Sequence, residues 1–447
     1  LNISYDFWRG ADEPAEPAWR RVARIASTPP LRDYIVARVL EMTSKWMFRV
    51  TTSLVVWQLT YDERMLGLAL VCLLLPGLVM ELVGGFFADR YDRRTVMVLS
   101  CVGSLACNLV IAVLALTGTL SVVLLMSLIA IYGGINSVAH ASSKTIVTAF
   151  VRKEDLATAV SLNAVVFNVA GFIGPAVAAG IIYWMGPAIA YFACAALSGG
   201  FILLFMRIPA PPREGGVSHG GFVHALQQGL SHVLAVRFLL YLFIMHIGAI
   251  ALARPFIDFV PAIVHHSFDG GSRETGLLLS TFGLGSIAGG LWLAACEAKI
   301  QRLAGVALGA MPAFALSLVG VVLSPTLWLA MIFSFAAGFG MITRGGAIQS
   351  MLQIETHPSY RGRVMALHGV SFELGCIVGA LFIGQIAKAT TITLALMICV
   401  CLLLALWVWI RGPLRAAAVA GTQQEPQAQA LEVSAGPIRS GTPHAVG

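Results

Sequence analysis

Runs of about 20 apolar residues recur along this chain, and each is long enough to cross a hydrocarbon core of roughly 30 Å as a helix. MLGLALVCLLLPGLVMELV at 65–83 and TVMVLSCVGSLACNLVIAVLAL at 95–116 are two of them. In lipid the backbone must satisfy its own hydrogen bonds, and for runs of this length a helix does so. The chain has 447 residues, of which only 11% are charged and 58% are hydrophobic. Soluble domains carry roughly 25% charged residues, so most of this chain belongs in a membrane. The first 30 residues are charged and Pro-rich with no apolar run, so no cleavable signal peptide is expected.

Twelve helices are expected, near 33–58, 65–88, 95–117, 120–145, 157–181, 184–207, 237–262, 275–296, 303–323, 325–348, 363–386 and 391–411. Basic residues divide sharply between the two sets of loops. One set holds Arg20, Arg21, Arg24, Arg32, Arg90, Arg93, Arg94, Arg152, Lys153, Arg207, Arg213, Lys299, Arg302, Arg361, Arg363, Arg411 and Arg415. The opposite set holds Arg64, Arg273 and Lys388. By the positive-inside rule both termini are expected in the cytoplasm. The net charge of +7 reports this topology and not a nucleic-acid partner. All eight cysteines fall in apolar segments, which suits small buried hydrophobes better than disulfides or zinc ligands.

Shifting the sequence by 205 residues lays Gly84-Gly85 on Gly289-Gly290, Arg94 on Lys299, Arg49 on Arg254, Phe167 on Phe372 and Gly174 on Gly379. One shift serving five places indicates two parallel six-helix halves. The expected organisation is a cytoplasmic segment at 1–32, an N-terminal half at 33–207, a linker at 208–236, a C-terminal half at 237–411 and a disordered tail at 412–447. Within the linker, Phe222, Leu226, Leu230 and Val233 share one helical face, opposite His224, Gln227, Gln228 and Ser231, as in a helix lying on a membrane surface.

The stretch GGFFADRYDRR at 84–94 contains Gly85, Asp89, Arg90, Arg93 and Arg94 between two spans. Its spacing resembles motif A of the major facilitator superfamily. Two further stretches, from Lys144 to Gly180 and from Tyr360 to Gly384, resemble the branch containing the bacterial enterobactin exporter and drug:proton antiporters. Gly171, Gly174 and Pro175 form a partial antiporter motif C. The resemblance implies a twelve-helix transporter in the bacterial inner membrane that works by alternating access, with the motif A charges latching the cytoplasmic side. It implies a small-molecule substrate and a proton gradient as energy source, with no bound cofactor or metal. Three departures stand out: Asp92 where the family has Gly, Ala170 where motif C has Gly, and no arginine in LLMSLIAIYGGINSVAH, where the motif B arginine is expected.

Charge inside the spans points to the site. The first span carries Arg38, Glu41, Lys45 and Arg49, all within roughly 80° on a helical wheel. At about 2.5–3.5 kcal/mol for each charge at mid-membrane, this face cannot look at lipid. It faces partners or a water-filled cavity. Span four carries Asn136, His140 and Lys144, span seven His246, Arg254 and Asp258, and span ten Arg344. Spans 3, 6, 9 and 12 have uncharged interiors, as the resembled fold requires of its lipid-facing helices. Glu81 and Glu373 are the exceptions to this segregation. Arg254 and Asp258, at i and i+4, read as a pair. Lys45, Arg49, Lys144, Arg254 and Arg344 outnumber Glu41, Asp258 and Glu373. This excess suggests an acidic or siderophore-like solute. A buried carboxyl can trade a proton for solute. Glu373 is the better candidate, because Glu41 has bases at i−3 and i+4.

Other classes compete. A pump for lipophilic compounds, an uptake transporter, a membrane sensor and an intramembrane enzyme are the alternatives. A sensor would bring an output domain, and an enzyme a nucleophile elbow or zinc motif; neither is seen in the sequence. The chain is expected to act in the bilayer as a monomer, with no nucleic-acid partner.

Overall fold

The computed structural model describes residues 31–90, 92–149, 156–208, 222–296 and 299–434. Side chains are described there except at 81–90, 93, 139–149, 156–165, 167–168, 222–223 and 418–434. Among the described residues every regular element is a helix. The N-terminal half contains α1 (Leu31–Thr60), α2 (Glu63–Arg90), α3 (Arg93–Leu116), α4 (Val122–Ala149), α5 (Leu156–Met185) and α6 (Pro187–Phe205). A linker helix, α7 (Phe222–Ala235), follows. The C-terminal half contains α8 (Arg237–Ala253), α9 (Phe256–Phe268), α10 (Ser272–Ala294), α11 (Ile300–Leu323), α12 (Leu327–Glu355), α13 (Pro358–Ala389) and α14 (Ile392–Ser434).

With α8 and α9 taken as one crossing, nine described segments are long and apolar enough to span a membrane. Shorter apolar stretches, Val122–Val138 in α4 and Val169–Met185 in α5, add two. The twelfth crossing is α1, whose six charged residues, Arg32, Asp33, Arg38, Glu41, Lys45 and Arg49, set its composition apart. The twelve crossings expected from the sequence are therefore present. Both ends of the bundle, the start of α1 and the end of α14, lie on one face, called here the terminal face; the opposite one is the far face.

Local chemistry fixes the helix ends. Asp92 caps α3, its Oδ2 accepting from Thr95 N at 3.3 Å and Thr95 Oγ1 at 3.2 Å. A glycine there would offer no such acceptor, which gives the departure from motif A a structural role. Gly186, at φ +84°, turns the chain from α5 into α6, and Pro187 opens α6 where its missing N–H costs nothing.

Within the halves, α1 packs on α5 and α6, and α8 packs on α13 and α14. Between the halves, α2 meets α13, α5 meets α10, and α9 meets both α1 and α2. Small residues permit these approaches. A Cβ on Gly67 of α2 would lie 2.6 Å from the Ala380 carbonyl oxygen of α13. The two halves repeat one packing detail at the 205-residue shift. A Cβ on Gly174 would meet Trp46 Cβ at 2.6 Å, and one on Gly379 would collide with Ala251, the residue equivalent to Trp46. The motif C glycine is thus where α5 closes on α1. Outward faces are apolar: α3 exposes Leu99, Val102 and Val113, α11 exposes Leu316 and Leu323, and α14 exposes Leu394 and Leu402.

Two expectations are corrected. Span seven is not one helix ending near 262: it breaks between Ala253 and Phe256 and runs on to Phe268. At Pro255 the missing N–H and the ring crowding the preceding turn accompany this break, whereas Pro76, Pro175, Pro261 and Pro312 sit inside continuous helices. The chain after Gly412 stays helical to Ser434, in keeping with its Ala, Gln and Leu content; residues 435–447 lie outside the described part. The linker helix packs on the start of α13. Gly229 and Val233 are buried, Gly229 against the Arg363 carbonyl, and His232 stacks on Tyr360 at 4.6 Å, while Leu230 and Leu234 are exposed.

Candidate solute pathway

The charges of α1 turn inward and pair. Glu41, 5% exposed, accepts from Arg38 Nη1 at 2.5 Å and from Lys45 Nζ at 2.7 Å. The helix itself makes this triad, because residues three and four positions away share the face of Glu41. Arg49 lies one turn beyond Lys45 and reaches across to the other half. Its Nε and Nη2 donate to Asp258 Oδ1 and Oδ2, each at 2.7 Å. A bidentate guanidinium–carboxylate pair is among the strongest charge-assisted contacts a side chain makes. The Arg49 guanidinium also sits 5.9 Å from the Trp46 ring.

The expected Arg254–Asp258 pair is therefore corrected: Asp258 binds Arg49. The break at Pro255 explains why. Residues 254 and 258 do not share a continuous helix, and Asp258 sits in the first turn of α9, where the helix dipole favours an acid. Arg254 is the C-cap of α8, where the dipole favours a base. It is 6% exposed, its Nη1 has no hydrogen-bond partner among the described residues, and its guanidinium lies 5.9 Å from the Phe372 ring. Arg344 on α12 is 1% exposed, and its Nε and Nη1 have no partner among the described residues.

The remaining candidates are spread out. Asn136 donates to Ser104 Oγ at 3.0 Å and to the Tyr132 carbonyl at 2.9 Å, tying α4 to α3. Glu373 is half-buried on α13, beside Phe372. The side chains of His140, Lys144, Glu81, Gly85, Asp89, Arg90 and Arg93 lie outside the described residues, so the expected motif A latch does too. Arg94 is described: its Nη2 donates to the Met206 carbonyl at 2.5 Å, joining the start of α3 to the end of α6. His368, absent from the sequence expectations, stacks on His246 at 4.0 Å with 30° between the rings.

The far face carries a row of contacts between the halves. His266 Nε2 lies 3.0 Å from Glu63 Oε1, and Trp57 meets the rings of His265 and His266 edge-on, each at 5.6 Å. These two histidines, in the last turn of α9, thus join the two halves. No group of side chains able to hold a metal occurs among the described residues. Lys388 Nζ lies 3.3 Å from Asp62 Oδ2, and Asp62 also accepts from Arg64 N at 2.9 Å and Arg64 Nη2 at 3.3 Å. Slight burial opposes ionisation of Asp62, but these bonds outweigh it and hold the carboxyl below its ordinary value.

The sequence matches the family described as transmembrane secretion effectors over residues 28–439. The chain belongs to the major facilitator superfamily. Solved structures share this facilitator fold at low identity. A variant of the nucleoside transporter NupG is 15% identical with a TM-score of 0.68, covering 86% of this chain and 99% of that one. A bacterial homolog of the human lysosomal transporter Spinster, inward-facing and unoccupied, is 14% identical at 0.69, covering 88% and 98%. A D-xylose–proton symporter is 12% identical at 0.68, covering 85% and 96%. No curated protein matches the sequence. As a facilitator, the chain is a membrane transporter.

Proposed function

We propose that this facilitator exports a small acidic organic solute, siderophore-like in its carboxylate or catecholate groups, in exchange for protons. The observation that supports the acidic solute is the state of the buried cations. Arg38, Lys45 and Arg49 are bonded to Glu41 and Asp258, whereas Arg254 and Arg344 have no carboxylate bonded to them among the described residues. A buried, uncompensated cation is costly; an acid arriving with the solute offsets that cost.

The loop charges put the terminal face and both chain ends in the cytoplasm of a bacterial cell, with the far face outside. The bonded far face then corresponds to a carrier closed to the outside. Opening it means parting Arg49 from Asp258, at about 3–5 kcal/mol if either charge is left alone. Arg254, four positions before Asp258, is at hand to receive the carboxylate. In the outward state the carboxyl of Glu373 takes a proton from outside, and it releases that proton to the cytoplasm as the next solute binds. Glu41 is poorly suited to this exchange, since two cations already hold it ionised. The resemblance of 144–180 and 360–384 to exporters supports the direction, and uptake is the competing one.

Everted vesicles or proteoliposomes test this. An acid-inside pH gradient should drive labelled 2,3-dihydroxybenzoate or citrate inward, and Glu373→Gln should abolish the gradient-driven part. Accumulation under an acid-outside gradient would replace export with uptake. Transport of ethidium in preference to either acid would favour a pump for lipophilic cations.

A further inference from the structure

We propose that Arg344, with the stacked imidazoles of His246 and His368, forms a carboxylate site inside the C-terminal half and holds the acid group of the solute there. The proposal rests on the acidic-solute reading and locates the acid.

Three helices bring these residues to one depth. His246 lies nine residues into α8, His368 ten residues into α13, and Arg344 eleven residues before the end of α12. At about 1.5 Å per residue, each is about 14–17 Å from the terminal face. The two rings are stacked, and α12, which carries Arg344, packs against both α8 and α13. His246 is 3% exposed, and neither of its ring nitrogens has a hydrogen-bond partner among the described residues. Two nitrogens of Arg344 are in the same condition. Each buried donor left without an acceptor costs stability. Leu or Met would fill the same volume without that penalty, so packing does not account for Arg344 and His246.

The 205-residue repeat says what is missing. The position of His246 in the C-terminal half is that of Glu41 in the N-terminal half. There the carboxylate gathers two cations; here, among the described residues, no acid is bonded to His246 or Arg344. A planar carboxylate suits a guanidinium, which presents N–H groups in a fixed fork, and an imidazole N–H adds a further donor. Access runs past His368, which is half-buried. Its neighbour Gly369 is exposed, with no atom within 4 Å of where a Cβ would stand. The acid meets His368 first and reaches Arg344 as the rings part.

Thermal unfolding of the purified full chain, titrated with citrate, 2,3-dihydroxybenzoate, inorganic phosphate and ethidium, tests the site. The carboxylates should raise the unfolding temperature of the wild type. Arg344→Gln should weaken their binding by about tenfold or more, and His246→Leu by less. Arg344→Lys keeps the charge without the fork, guards against a misfolded variant, and should still bind more weakly. If no carboxylate stabilises the wild type, the acidic-solute reading falls and this site with it. If carboxylates stabilise the wild type and both Arg344 variants equally, the reading stands and the site is wrong. Stabilisation by phosphate alone would overturn the carboxylate assignment.

Discussion

α1 in the N-terminal half and the α8–α9 crossing in the C-terminal half are equivalent elements, 205 residues apart, whose charges are treated in opposite ways. α1 is continuous, and its cations are neutralised by Glu41 within the helix and by Asp258 across the interface. The α8–α9 crossing is broken at Pro255, where α1 has Val50. Arg254 occupies the position of Arg49, but the counterpart of Asp258 is Ser53, whose hydroxyl bonds only the Val50 carbonyl. At this pair of equivalent positions there is one carboxylate where symmetry would have supplied two, and the cation left over is in the C-terminal half. The lesson is that a repeated scaffold can separate holding a gate from holding a ligand by changing a few polar residues at equivalent sites.

The largest expected effect comes from removing the shared carboxylate. Asp258→Asn leaves Arg49 buried without its partner, a change of about 3–5 kcal/mol against the far-face-closed state. Spin labels at Tyr61 and Thr390, in a cysteine-free background, should move apart in this variant. An unchanged distance would mean that the bridge does not hold the halves together. A smaller effect is expected at the rim. The folded carboxyl of Asp62 titrates below its ordinary 3.8, so its stabilising share is complete above that value and disappears as pH falls through the lowered one. Its partner Lys388 is exposed and Asp62 itself is half-buried at the rim, where ion pairs contribute little. Asp62→Asn should therefore abolish only a slight acid-induced widening of the Tyr61–Thr390 distance, measured at low pH.

Much of this was legible beforehand. The apolar runs dictate the twelve crossings, and the common face of Arg38, Glu41, Lys45 and Arg49 follows from helical spacing alone. The Arg49–Asp258 bridge was not legible, because Arg254 stands at i−4 from Asp258 and offers a nearer partner in any unbroken helix. Pro255 was the available signal that the helix is not unbroken. His368 has no charged companion at helical spacing on its own span, so no pattern marked it. Its role emerges only when α8 and α13 pack and bring it onto His246. Extending the 205-residue comparison to polar positions would have set Glu41 against His246 and Ser53 against Asp258 in advance. For the linker helix, amphipathic spacing marks an apolar side without saying whether protein or lipid covers it.

The contrast between the halves is tested most directly by the unfolding temperature of the ligand-free protein in two single variants. Glu41→Gln strips the acid from a neutralised triad, leaves Arg38 and Lys45 uncompensated, and should lower the unfolding temperature, by about 3–5 kcal/mol of stability. Arg344→Gln removes a buried cation that has no acid bonded to it among the described residues and should leave the temperature unchanged or raise it. A fall of similar size in both variants would show that Arg344 is compensated within the protein, and would contradict the account.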